Sequence, residues 1–210
     1  MTQYAKFTKI LLAAWFVFAL AASALHLYQN HPGQPPLPLG LGALTPIVVF
    51  LLWYAASPRF RAFVLSINPR VLTLAHTWRV GGFVFLALAT YGILPWFFAL
   101  PAGLGDMAVG FTAPGIALNG TNPQRRGRFI LWQLFGMADL VTAVALGTLA
   151  GVIAPHGVQP TAMTLLPMSL IPTFAVPLLF ILHIICLAQA RRWPAQVAPS
   201  LRQPLGQPAL

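Results

Sequence analysis

Two carboxylates and one guanidinium, each set in apolar sequence, are the groups in this chain best placed to do chemistry. Asp106 and Asp139 are the only acidic residues among 210, and there is no glutamate. Asp106 lies in LPAGLGDMAVGFTAP and Asp139 in FGMADLVTAVALG. Arg79, in TWRVGGFVF, is the one basic residue remote from the ends of the apolar runs. An Asp at the centre of a membrane helix costs about 2.5–3.5 kcal/mol on insertion scales. Two of them therefore call for partners. Arg79 paired with one Asp would cancel two expensive charges and leave the other free to carry a proton. His76 shares a face with Arg79 three residues before it. His183 and Gln133 fall at comparable depth in other apolar runs.

Spacing shows where these groups point. Gly103, Asp106 and Gly110 share one helical face at i, i+3 and i+7, and Gly136, Asp139, Ala143 and Gly147 share another. Small residues let helix backbones approach closely, so both faces are expected to pack on helices and not on lipid. Asp106 follows about ten residues of its apolar run and Asp139 about ten of its own, giving each roughly 15 Å of depth. The two carboxylates are expected to meet near the midplane. If the helix carrying Asp106 starts late, at Pro101, that acid lies nearer the outside.

The elements that must hold these groups are membrane spans. Hydrophobic residues make up 58% of the chain and charged ones 7%, too few for a water-facing surface. Six apolar runs are long enough to cross hydrocarbon, at about 10–28, 39–56, 71–94, 96–118, 129–153 and 166–190. Pro101, Pro114, Pro172 and Pro177 interrupt the fourth and sixth. The expected fold is an all-α polytopic transmembrane bundle, a single domain over 1–193. A Pro/Gln-rich disordered tail is expected over 194–210.

The basic residues set the orientation. Lys6 and Lys9 precede the first run; Arg59, Arg61 and Arg70 lie between the second and third. Arg125, Arg126 and Arg128 lie between the fourth and fifth, and Arg191, Arg192 and Arg202 follow the sixth. The alternate connections carry no Lys or Arg, so the positive-inside rule places both termini in the cytoplasm. Lys6, Lys9 and Ala22-Ser23-Ala24 also fit a secretory signal peptide; a retained span is favoured because apolar residues continue to Tyr28. The mixed stretch from Pro58 to Arg70 reads equally as a short helix in the headgroup plane or as an ordinary basic loop.

Other classes of function find little support. A formal charge of +10 raises nucleic-acid binding, but the basic residues sit in small groups flanking apolar runs, with anionic headgroups as their expected partners. Cys186 is the only cysteine, so no intrachain disulfide can form and a thiolate metal site is not expected. No P-loop, dinucleotide fingerprint, zinc spacing or nucleophile elbow is present. No lysine lies within a span to form a Schiff base. His76 and His183, on different helices at similar depth, have the placement of axial haem ligands, though a lone His pair is more often a hydrogen-bonding pair. No cofactor is expected. The tryptophans (Trp15, Trp53, Trp78, Trp96, Trp132 and Trp193) mostly read as interfacial anchors.

Two resemblances add to this. Gly103-Leu104-Gly105-Asp106 resembles the GxGD element of intramembrane aspartyl proteases, in which two Asp on adjacent helices share a proton to activate water. The likeness covers four residues, and Asp139 follows this element where those families place the partner Asp before it. The segment from Leu100 to Pro114, with Trp78-Arg79, resembles a group of uncharacterised bacterial multi-span membrane proteins. That resemblance implies a bacterial inner-membrane location and no known activity. The leading expectation is a small transporter or proton-linked permease for a small molecule or ion, using Asp106, Asp139 and Arg79. The alternatives are a non-catalytic scaffold or partner subunit with a purely structural polar cluster, and an aspartyl protease.

Overall fold

The computed structural model describes residues 2–29 and 36–193; the expected tail and His31 lie outside the described residues. All regular structure among the described residues is helical. The chain begins with α1 (Thr2–Ala24) and α2 (Leu37–Ala56). Helix α1 stops at Ala24, short of the expected Tyr28, and His26 turns the chain with φ of 58°. Two short helices follow. Ser57 caps α3 (Pro58–Leu65) by accepting from the Phe60 amide at 3.2 Å, and Asn68 caps α4 (Pro69–Leu74) by accepting from Arg70 at 2.9 Å.

Helix α3 is the mixed basic stretch, and it is anchored to protein. Phe60 and Val64 are buried in a cluster with Phe50, Leu72, Phe129 and Ile181. Arg61 folds back to donate to the carbonyls of Tyr54 and Ala55.

The expected third span is not one uniform helix. Helix α4 tightens into a 3-10 helix (Ala75–Gly82) and relaxes again as α5 (Phe83–Thr90). After a turn at Gly92, α6 (Trp96–Asn119) runs unbroken through Pro101, so the late start at Pro101 does not occur. A 3-10 turn (Pro123–Arg125) leads into α7 (Arg126–Ile153). The last segment departs most from expectation. A 3-10 turn (Thr161–Thr164) and a π-helical turn (Ile171–Ala175) precede α8 (Val176–Arg191), so regular α-helix starts ten residues later than Leu166. Pro167, Pro172 and Pro177 are the physical reason, since proline withholds the amide an α-helix needs.

Among the described residues, five helical stretches are long and apolar enough to cross a membrane: Gln3–Ala24, Leu37–Ala56, Pro69–Thr90, Pro123–Ala150 and Ile171–Arg191. The protein is an integral membrane protein. Helix α6, 24 residues and about 36 Å long, lies outside these five. Ala99, Val109, Ala113 and Ala117 have no exposed surface, and α6 packs on α4, the 3-10 helix, α5 and α7. Its other face exposes Leu100, Leu104, Phe111 and Leu118, so α6 also presents an apolar outer surface.

The connections that carry Arg adjoin at one end of the bundle. Arg70 donates to Thr121, Arg126 to the Ala190 carbonyl, and Gln189 to the Leu65 and Ile67 carbonyls. The start of α1 joins them there, Tyr4 stacking on Phe63 and Phe7 meeting Trp53 edge-on. At the opposite end Phe85, Leu94, Phe98, Ala99 and Met163 form a second apolar cluster.

Between the two ends, α6 and the 3-10 helix touch backbone to backbone. A Cβ on Gly103 would lie 2.9 Å from the Gly82 carbonyl oxygen, and one on Gly110 2.9 Å from the Arg79 carbonyl carbon. Gly110→Ala is therefore expected to lower the midpoint of thermal unfolding in detergent, with about 1–3 kcal/mol of overpacking. Gly115→Ala, on the same helix with nothing within 4 Å, is expected to leave it unchanged or slightly raised.

Candidate functional site

The 3-10 winding builds the site's first row. At three residues per turn, positions i and i+3 eclipse each other. His76, Arg79 and Gly82 are the buried residues of this helix, and Thr73, one step before them, is also buried. In an α-helix that row would drift around the axis by about 60° at each step. Here it runs straight and faces α6, α7 and α8.

Arg79 is 2% exposed and stands at the centre of the bundle. Its Nε donates to Asp106 Oδ1 at 2.5 Å, and its Nη2 donates to Asp139 Oδ2. Nη1 donates to the Gly136 carbonyl at 3.5 Å and lies 3.4 Å from His183 Nε2. The side of the guanidinium that ordinarily meets one carboxylate is thus shared by two, from different helices. Arg79 thus binds both Asp106 and Asp139, where the sequence pairs it with one acid and leaves the other free.

Glycines make room for it. A Cβ on Gly105 would overlap the Asp139 carboxylate, and one on Gly136 would lie 2.5 Å from the His183 ring. Only glycine at these two positions lets α7 bring Asp139 against α6 and lets α8 bring His183 against α7.

The remaining polar residues extend the cluster. His183 Nδ1 bonds Gln133 Oε1, so a neutral His183 carries its proton on Nδ1 and offers Nε2 as acceptor to Arg79. His76 stacks face to face on His183 with centroids 4.0 Å apart, and Trp132 meets His76 edge-on at 5.6 Å. Face-stacked imidazoles at that distance leave no space for a haem between them, which removes the axial-ligand reading. Neither ring nitrogen of His76 has a hydrogen-bond partner among the described residues. Trp132 is also no interfacial anchor: it is buried, and its indole donates to Thr112 Oγ1 at 2.8 Å. Its spacing from Gly136 and Asp139, i+4 and i+7, was the available signal. Cys186, three residues after His183, is fully buried.

A cavity of about 250 Å³ opens beside the cluster. Arg79 and Asp106 line it, as do Trp78 and Gly82 from the 3-10 helix, and Ile171 and Ala175 from the π turn. Asp106 has 18% of its side chain exposed against 8% for Asp139, so the cavity reaches one acid more than the other.

The family described as "Domain of unknown function (DUF8737)" matches residues 36–191. The chain belongs to this family. The matched region includes every residue of the cluster and all of the helices except α1. No curated protein and no solved structure matches the chain.

The charge arrangement sets a stability asymmetry. Removing Arg79 leaves two buried carboxylates facing each other, whereas removing one Asp leaves a neutral pair. Arg79→Met is expected to destabilise by about 3–5 kcal/mol, as for other broken buried ion pairs. Asp139→Asn is expected to cost far less, and the triple variant Arg79→Met, Asp106→Asn, Asp139→Asn to recover most of the loss. Thermal unfolding of the purified variants in one detergent measures all three.

Proposed function

We propose that this protein is a small permease of the bacterial inner membrane, in which Asp106, Asp139 and Arg79 handle a proton or a cation. The supporting observation is the charge count at the cluster. One guanidinium bonds two carboxylates, and the full complement of charges sums to −1. In a water-poor interior such an excess calls for one proton or one monovalent cation. The adjoining cavity leaves room beside Asp106 for a cation.

The proposal takes α6 as a sixth span, with both termini in the cytoplasm. Counting α6 puts the Arg-bearing connections and the start of α1 on one side of the bilayer, as the positive-inside rule expects. Retention of α1 is favoured because Ala22 and Ser23 are buried and Trp15 donates to the Thr173 carbonyl.

The arrangement gives the aspartyl-protease reading little support. A catalytic dyad needs its two carboxyls to share a proton and hold a water between them. Here the guanidinium takes the facing oxygens of both acids. The scaffold reading keeps the same cluster as a purely structural clamp, and transport separates the two.

Two measurements test this. In proteoliposomes loaded with a pH-sensitive dye, the wild-type protein is expected to collapse an imposed pH step several-fold faster than protein-free vesicles. Asp139→Asn is expected to return the rate to that baseline while the protein stays folded. Equal rates for wild type and variant would leave the clamp as the cluster's role. For topology, single cysteines placed at Tyr91 and Asn122, on either side of α6, in a Cys186→Ser background should react with an impermeant maleimide from opposite sides. Labelling of both from the same side would remove α6 as a span.

A further inference from the structure

The cavity beside Asp106 has a composition that selects its occupant. Its wall is apolar over most of its extent, formed by Val84, Phe85, Leu140, Ile171 and Leu179, and its polar part is Asp106 with Arg79. Arg79 is engaged at each of its three nitrogens, by Asp106, by Asp139, and by Gly136 with His183. It has little left to offer an anionic ligand. Asp106 keeps exposed surface, and the cluster to which it belongs carries one uncompensated negative charge. Trp78, half exposed, stands at the rim, where an aromatic face attracts a cation.

The opening is lateral. The 3-10 helix and α5 contribute one part of the cavity's lining, and the π turn with the start of α8 another. The rim residues Trp78, Gly81, Val84 and Pro167 are all exposed. They fall within or beside helical segments apolar enough to cross the membrane, so the mouth looks toward acyl chains more than toward water.

From this we infer that the cavity binds a lipophilic amine: a compact apolar body carrying a single ammonium, which enters from the bilayer and sets its cationic end on Asp106. A cavity of 150 Å³ holds benzene, so 250 Å³ holds roughly ten non-hydrogen atoms. That is the size of a phenylethylammonium ion, or of the head of a longer amine whose tail stays in lipid. The inference rests on the permease reading for its biological sense, because an ammonium in place of the balancing proton makes the amine the cargo. The binding site itself stands on the geometry alone.

The test is binding of 2-phenylethylamine to the purified full-length protein in detergent, by calorimetry, with 2-phenylethanol and phenylacetate as uncharged and anionic counterparts. The amine is expected to bind about tenfold or more tightly than the alcohol, the worth of one charge-assisted hydrogen bond, with no binding of the acid. Asp106→Asn should remove the preference for amine over alcohol. Ala175→Leu, which fills the cavity without touching a charge, should weaken both. Equal affinity for amine and alcohol, or amine binding unchanged in Ala175→Leu, would overturn the site. Amine binding with no proton flux in vesicles would remove the permease reading and leave the site standing; flux without amine binding would do the reverse.

Discussion

A guanidinium taken out of water must have its N–H groups answered, and in this bundle almost every unusual feature is part of the answer to Arg79. Its partners come from α6, α7 and α8, so three helices must each present one particular residue at one particular height. A slip of one residue in any of them would put a side chain with no acceptor where one is required. Buried ion pairs are poor evidence of stability, because desolvation offsets most of the Coulomb gain. Their more dependable effect is on register. With lipid outside and little hydrophobic drive between helices, register is what a membrane bundle most needs to specify.

The backbone is bent to the same end. Arg79 sits in a 3-10 helix that keeps Thr73, His76, Arg79 and Gly82 in one row, and that row meets α6 through Gly82, Gly103 and Gly110. Such close approach brings the short Asp106 side chain within reach of a guanidinium anchored on the neighbouring backbone. On the far side of the cavity the π turn at Ile171–Ala175 supplies the facing wall. Mid-helix 3-10 and π segments recur at functional sites, and here both border the same space. The irregular backbone is buried or lines a cavity, the only settings in which a bilayer tolerates it.

Much of this was legible in composition and spacing. Two acids and one internal arginine in an apolar chain had few options, and the small residues around Asp106 and Asp139 marked the faces that had to meet. Local winding was not legible. Nothing in Ala75–Gly82 announces a 3-10 helix, because the winding is imposed by the contact with α6 and not by the propensity of Thr77, Trp78 or Val80. The π turn was legible only as prolines, which say where an α-helix fails and not what replaces it. Trp132 was misplaced because tryptophan in a span usually belongs to the interface, a tendency that its contacts with His76 and Thr112 override.

The second aspartate bears most directly on whether this cluster does more than hold helices together. A clamp needs only one acid: Arg79 with Asp106 would be neutral and would already tie the third segment to α6. Adding Asp139 to the same guanidinium ties in α7 but introduces a surplus charge that a neutral Asn or Gln, bonding the same N–H, would have avoided. The two acids also differ in access, since the cavity reaches Asp106 while Asp139 is nearly enclosed. On the permease reading this inequality has a use. A cation arriving at Asp106 competes with Arg79 for that carboxylate, and Asp139 remains to hold the guanidinium while the first contact loosens. On that reading, what occupies the cavity biases how Arg79 divides its contacts between the two acids.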